Sequence, residues 1–174
     1  MMRILSVLAL GLIVIAGPAR ADSCPQQGVV QSAAQAFQSA ARQGTSQAFV
    51  NAAARYTDLN GLALFALGQY RSSLKPGQQG KYISLARSFM GKFMADNASH
   101  IPNSPVSIVA CNGNNVTAKF DSGGTIGFKL AGGGKIADVT IAGISVAGAM
   151  RSKFTGVIAN NNGDVDSLLT YLAQ

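Results

Sequence analysis

The chain has no glutamate and no tryptophan, one histidine and two cysteines among 174 residues. Each shortage removes a kind of chemistry. His100 stands alone, without the Cys/His/Glu cluster that a zinc site or a histidine-based acid–base centre needs. All the acidic residues are Asp, and the one close pair is Asp164 and Asp166. Asp164 follows Gly163 and precedes an apolar stripe of Val165, Leu168, Leu169 and Leu172, which makes it a helix cap rather than half of a catalytic dyad. No Cys-x-x-Cys redox pair is present. The basic residues form no run and no arginine–aromatic stripe, so nucleic acid is not an expected partner. Glycine clusters fall between strand-like segments rather than between a strand and a helix, which is the wrong place for a phosphate cradle. No catalytic residue, no metal ligand and no cofactor is assigned, and an enzyme is not expected.

What is present begins with an address. Arg3 supplies a positive start, Ile4 to Ala16 is an apolar run, and Pro18-Ala19-Arg20-Ala21 ends in an Ala-x-Ala site. This is a secretory signal over residues 1–21 with cleavage after Ala21, and the apolar run is short for a membrane span. A single domain is expected over 22–174, retaining a net positive charge that suits anionic lipid headgroups. In an oxidising compartment an even cysteine count favours a bond between Cys24 and Cys111. Such a bond would tie the first helix to the sheet.

The first half of the chain is helical in period. Gly28 to Arg42 carries Val29, Ala33, Ala36, Phe37, Ala40 and Ala41 on one face and stops at Gly44. Thr45 is placed to cap a second helix, and Asp58 a third over Leu59 to Ser72. Pro76 suits the first turn of a fourth, with Tyr82, Leu85, Ala86, Phe89 and Phe93 at helical spacing. After Pro102 and Pro105 the period drops to two. Val106, Ile108 and Ala110, then Val116, Ala118 and Phe120, then Ile126, Phe128 and Leu130, then Ala137, Val139 and Ile141 form the apolar face of a four-stranded antiparallel meander. A tight turn at Ala142-Gly143 precedes two further amphipathic helices. The order predicts an α+β fold: N-terminal helices, a curved four-stranded sheet and two C-terminal helices. The apolar stripes alone read first as protein core.

Several short motifs add a resemblance. Asp58 to Tyr70 (Asp-Leu-Asn-Gly-Leu-Ala-Leu-Phe-Ala-Leu-Gly-Gln-Tyr) is followed by Lys75-Pro76-Gly77-Gln78 and an aromatic helix. Asp138-Val139 precedes Ile141-Ala142-Gly143-Ile144-Ser145-Val146, then Arg151-Ser152-Lys153-Phe154, then Gly163-Asp164-Val165-Asp166-Ser167-Leu168. In order and spacing these segments resemble MlaC, the periplasmic phospholipid-binding family also called the toluene-tolerance family Ttg2D. The likeness spans roughly residues 58–98 and 135–174. The Ala-rich first helix, the cysteine pair and the compact region between Ser99 and Lys135 depart from the family pattern.

The resemblance implies a monomeric periplasmic carrier that encloses phospholipid tails in an apolar cavity. It would pass its cargo between an inner-membrane ABC transporter complex and an outer-membrane lipoprotein complex. The residues expected to line the cavity are Phe120, Phe128 and Leu130 from the sheet and Val139, Ile141, Ile144, Val146, Met150 and Phe154 from the end segment. Phe89 and Phe93 would form the opposite wall. Two alternatives accompany this expectation: a carrier of the same family for a hopanoid-type polycyclic lipid, and a non-catalytic partner-binding domain with a filled core.

Overall fold

The computed structural model describes residues 24–141 and 143–174. The signal expected over 1–21 and the first residue of the Ala142-Gly143 turn lie outside these residues. Four helices come first: α1 (Gln27–Gln43), α2 (Ser46–Tyr56), α3 (Leu59–Ala66) and α4 (Gln78–Asp96). The strands β1 (Val106–Asn112), β2 (Asn115–Phe120), β3 (Thr125–Leu130), β4 (Ile136–Ile141) and β5 (Ile144–Ser145) follow, then α5 (Val146–Ala159) and α6 (Val165–Leu172). The architecture is α+β, as the two periodicities predict. It has one strand more than expected. Gly143 takes φ 80, and this left-handed turn lays Ile144 opposite Ile141 and Ser145 opposite Thr140 as a short fifth strand. The sheet is antiparallel throughout, in the order β1-β2-β3-β4-β5.

The helix boundaries follow capping chemistry. The Ala48 N–H donates to Thr45 Oγ1 and the Gly61 N–H to Asp58 Oδ1, so both expected caps are in place. The third helix is shorter than expected. It ends at Ala66 and tightens into a 3-10 segment over Gly68–Ser73, because Gly68 takes φ 56. A Cβ at Gly68 would stand 3.0 Å from Arg151 Nε and 3.1 Å from Thr155 Cγ2, so side chains of α5 crowd this position. Pro76 lies before its helix rather than in the first turn, since Gly77 intervenes at φ 82. Where α2 crosses α4, a Cβ on Gly91 would meet Ser46 O at 2.7 Å, so the backbones touch at that point.

Two irregularities reset the apolar face of the sheet. A bulge between Ile108 and Ala110 leaves Val109 unpaired and brings Cys111, not Ala110, into line with Val106 and Ile108. A second shift at Lys129/Leu130 leaves Ala137 exposed and buries Ile136 instead. The face then reads in rows across the strands. One row runs Ile108, Ala118, Ile126, Ile141, Ile144, and the next runs Cys111, Val116, Phe128, Val139.

The interior divides into three apolar clusters. Val30 and Ala33 of α1 cover Val116, Ala118, Phe128, Leu130 and Ile136 of the sheet. Phe49 with Ala40 and Ala52 fills the gap between α1 and α2. The largest cluster joins α3, α4, α5 and α6 around Tyr82, Phe154, Ile158 and Leu168. Burial pushes the Tyr82 phenol pKa up, and its O–H donates to Ala63 O at 2.6 Å, which satisfies the one polar atom this ring brings into the core.

Cys24 and Cys111 are bonded, with Cα atoms 5.8 Å apart and 87 residues between them in sequence. The bond fastens the start of α1 to β1, beside the cluster that covers the sheet. Replacing both cysteines by serine is expected to lower the unfolding free energy by roughly 4–5 kcal/mol. Urea unfolding of the double variant against the oxidised protein checks this. A loss under about 1 kcal/mol would show that α1 is held by packing alone.

Candidate functional site

The end segment is organised by one carboxylate. Asp138 lies on β4, and alternation points its side chain to the face opposite Val139 and Ile141. There Oδ1 accepts from the Ala147 N–H at 2.9 Å and the Val139 N–H at 2.8 Å, while Oδ2 accepts from Ser145 Oγ at 2.5 Å. Ser145 Oγ accepts in turn from the Gly148 N–H at 2.9 Å, capping α5. Two first-turn amides of α5 and the hydroxyl before them are therefore satisfied from the sheet. A negative charge at a helix N-terminus is also favoured by the peptide dipoles. This junction fixes the β4–β5 turn, and with it the direction in which Ile141 and Ile144 project.

Those two isoleucines sit side by side across the turn and are 49% and 64% exposed. They end the row that starts at the half-buried Ile108 and passes through Ala118, which is fully buried beneath α1. Ile126 and Phe120 on the same face are half-buried. The sheet therefore passes from closed core at the disulfide end to open apolar surface at the β4–β5 end.

The structure distributes the expected lining residues over several places. Phe128 and Leu130 are buried and Val139 is half-buried, all within the cluster under α1. Phe154 is fully buried among the helices, with Met150 and Phe89 packed on that same cluster. Phe89 stacks edge-on to Phe154, ring centroids 5.5 Å apart, and also meets Tyr171. Val146 is half-buried at the start of α5, and Phe93 is exposed on α4. Of the expected set, Ile141 and Ile144 come together at the surface, Phe128 with Val139 beneath α1, and Phe89 with Phe154 among the helices. Ile126, which joins the exposed pair to the covered face, stood outside that set. Strand register was the signal that would have included it.

Polar contacts between distant segments are equally specific. Lys75 Nζ lies 2.6 Å from Asp166 Oδ2, and Gln78 Nε2 donates to Asp166 Oδ1 at 2.6 Å. Gln78 Oε1 accepts from the Lys75 N–H, so the turn before α4 is locked to the first turn of α6. The Asp166 N–H donates to Asp164 Oδ1, so Asp164 is the cap and Asp166 the ion-pair partner. The Arg151 guanidinium lies 5.0 Å above the Phe65 ring, joining α5 to α3. Among the described residues no cluster of His, Cys, Asp or Glu has the grouping of a metal site, and no helix is long and apolar enough to cross a membrane.

The sequence profile described as MlaC protein matches residues 27–174. The chain belongs to the MlaC family. Among curated proteins none matches the sequence. Of solved structures, the chain is similar to the phospholipid-binding protein from Ralstonia solanacearum in complex with a phospholipid. That similarity has a TM-score of 0.68 at 18% identity and covers 85% of this chain and 94% of the other. The fold is therefore shared along nearly the whole of both chains. Family membership also gives meaning to the contacts above. Motifs that are scattered in sequence meet in pairs, Lys75 and Gln78 with Asp166 and Gly68 with Arg151, while Asp138 and Ser145 meet within one motif.

Asp138→Ala would leave the Ala147 N–H and Ser145 hydroxyl without their acceptor at a half-buried junction. A loss of about 1–3 kcal/mol is expected in urea unfolding, and an unchanged midpoint would remove Asp138 from this role. The α4–α6 clamp should respond to pH. Hydrogen bonds from Lys75 and then Gln78 hold the Asp166 carboxyl below its ordinary 3.8, and its bond to Asp166 raises Lys75 above 10.5. The Asp166 contribution is complete above pH 3.8 and is lost as pH falls through its depressed folded value. The Lys75 contribution is complete below pH 10.5 and is lost as pH rises through its raised folded value. The difference in Tm between the native protein and Asp166→Asn is expected to be level at neutral pH and to vanish in strong acid and strong alkali. A difference independent of pH would contradict the ion pair.

Proposed function

We propose that this MlaC-family protein is a periplasmic lipid carrier that shields phospholipid tails against the apolar face of its sheet. The observation that carries the proposal is the uncovered pair Ile141 and Ile144, continuous through Ile126 with the covered face under α1. Burying one such side chain is worth about 1.5–3 kcal/mol, so leaving two adjacent ones in water is costly unless something covers them. An acyl chain of ~16 carbons has the complementary problem, at about 0.8 kcal/mol per methylene exposed in water. Each surface satisfies the other.

In this proposal Ile141, Ile144, Phe120 and Phe93 meet the cargo directly. Val139 is a half-buried neighbour that yields to it, with Phe128 and Leu130 the floor on which it packs. Phe89, Met150 and Phe154 pack in the separate helical cluster and Val146 is half-buried at the start of α5, so this proposal leaves them out of the tail-binding face. Carriage needs no catalytic group, only a binding face whose exposure can change. Gly143 lets the β4–β5 turn adjust, whereas the Asp138–Ser145 junction limits how far it moves. The secretory signal expected over residues 1–21 and the Cys24–Cys111 bond support export to the periplasm. There the protein would receive and deliver lipid at an inner-membrane ABC transporter complex and an outer-membrane lipoprotein complex. The bound phospholipid is cargo rather than cofactor.

Native mass spectrometry of protein purified from its own periplasm, followed by denaturing lipid analysis, tests the proposal. Stoichiometric phospholipid supports it, and a polycyclic lipid in its place would assign the hopanoid alternative. Protein that is bare and takes up no lipid from phospholipid vesicles would leave a partner-binding domain with a filled core. Ile144→Glu places a charge on an exposed position, so folding should be retained while lipid occupancy falls at least about tenfold. Undiminished occupancy would remove the β4–β5 turn from the binding face.

A further inference from the structure

The two edges of the sheet are unlike. β5 is two residues long and runs straight into α5, so it offers almost nothing to pair with. β1 has seven residues, Val-Ser-Ile-Val-Ala-Cys-Asn, without a charge or a proline, and among the described residues only β2 pairs with it. Strands in this position are commonly blunted by lysine, proline or a covering element. Here the one such device is the bulge at Val109, whose side chain is 54% exposed. The Asp121 N–H donates to Pro105 O at 3.1 Å, so the backbone of Pro105 faces β2. Alternation then turns the N–H and C=O of Val106 and Ile108 outward.

Beside these groups lies a groove of about 450 Å³ between α1 and the chain entering β1, lined by Gln31, Gln35, Gln38, Asn103, Ser104 and Val106 among others. No ionisable side chain lines it. Gln38 Nε2 donates to Pro102 O and Ser104 O and so holds that chain in place. The Gln31 and Gln35 amides, about one turn apart on α1, make no side-chain hydrogen bond among the described residues. A backbone laid along β1 would project every second side chain to the α1 side of the sheet, beside these amides. A second copy of β1 would bring Val106 and Ile108 there, an apolar face against amides.

We propose that the free edge of β1 is a strand-addition site for an extended segment of a partner protein, which directs uncharged polar side chains into the groove beside α1. Backbone hydrogen bonds at Val106 and Ile108 supply attachment, and the amides supply register and selectivity. The proposal is independent of the cargo.

The test uses the oxidised protein and the synthetic peptide Lys-Thr-Val-Thr-Val-Thr-Val-Thr-Lys, with amide hydrogen exchange read at Val106 and Ile108. Slowing of about tenfold or more at these amides is expected as peptide is added. The same peptide N-methylated between its lysines should produce no slowing, because it lacks the donors. A version with leucine in place of threonine should bind at least about tenfold more weakly if the groove amides select polar side chains. Unchanged exchange up to the solubility limit, or equal effects of the native and N-methylated peptides, would overturn the proposal. Equal binding of the leucine version would overturn the selectivity. Slowing that depends on protein concentration without any peptide would overturn the partner strand in favour of a second copy.

Discussion

The Asp138 carboxylate is the contact on which the arrangement of the C-terminal half depends. The sheet has its own apolar cluster with α1, and the helices α3 to α6 have another. One of the places where the two are joined is the point where Asp138 accepts from the first turn of α5 and from Ser145. A charged acceptor facing helix N–H groups is directional as well as favourable, so it sets the angle at which α5 leaves the sheet. Phe154 and Ile158, two and three turns further on, inherit their places in the helical core from that angle. The β4–β5 turn, held on the same side, leaves Ile141 and Ile144 facing away from it.

On the proposed reading, the separate clusters have a functional counterpart. A protein that had merged its two apolar regions would have no face left for a guest. Here the cover over the sheet is graded: dense at the disulfide end, where α1 is fastened through Cys24 to Cys111, and absent at the β4–β5 end. The polar latches, Lys75 and Gln78 to Asp166 among them, hold the helices to one another without filling that open end. On the proposed reading, an exposed apolar pair beside a covered core is a place where cargo can be gained and lost without refolding.

Much of this could be read along the chain. Thr45, Asp58 and Asp164 announced helix starts because a short oxygen-bearing side chain can satisfy a free amide three or fewer residues away. The change of period after Pro105 announced the sheet, and the cysteine pair its tether. Motif order announced the family. Other features escaped for identifiable reasons. Alternation assigned Ala110 and Ala137 to the apolar face, whereas bulges replace them by Cys111 and Ile136, because one extra residue reverses every following side chain. The third helix was expected to reach Ser72, but Arg151, more than eighty residues away, packs against Gly68 where the helix breaks.

Local chemistry along the chain thus settled most of the elements and their caps, and motif order the family, since these depend on neighbours in sequence or on recurring motifs. Assembly settled the rest. Phe154 and Ile144 are both apolar and ten residues apart, yet one is fully buried and the other largely open. Periodicity reports which side of an element a residue occupies. Whether anything covers that side depends on elements brought there from elsewhere in the chain.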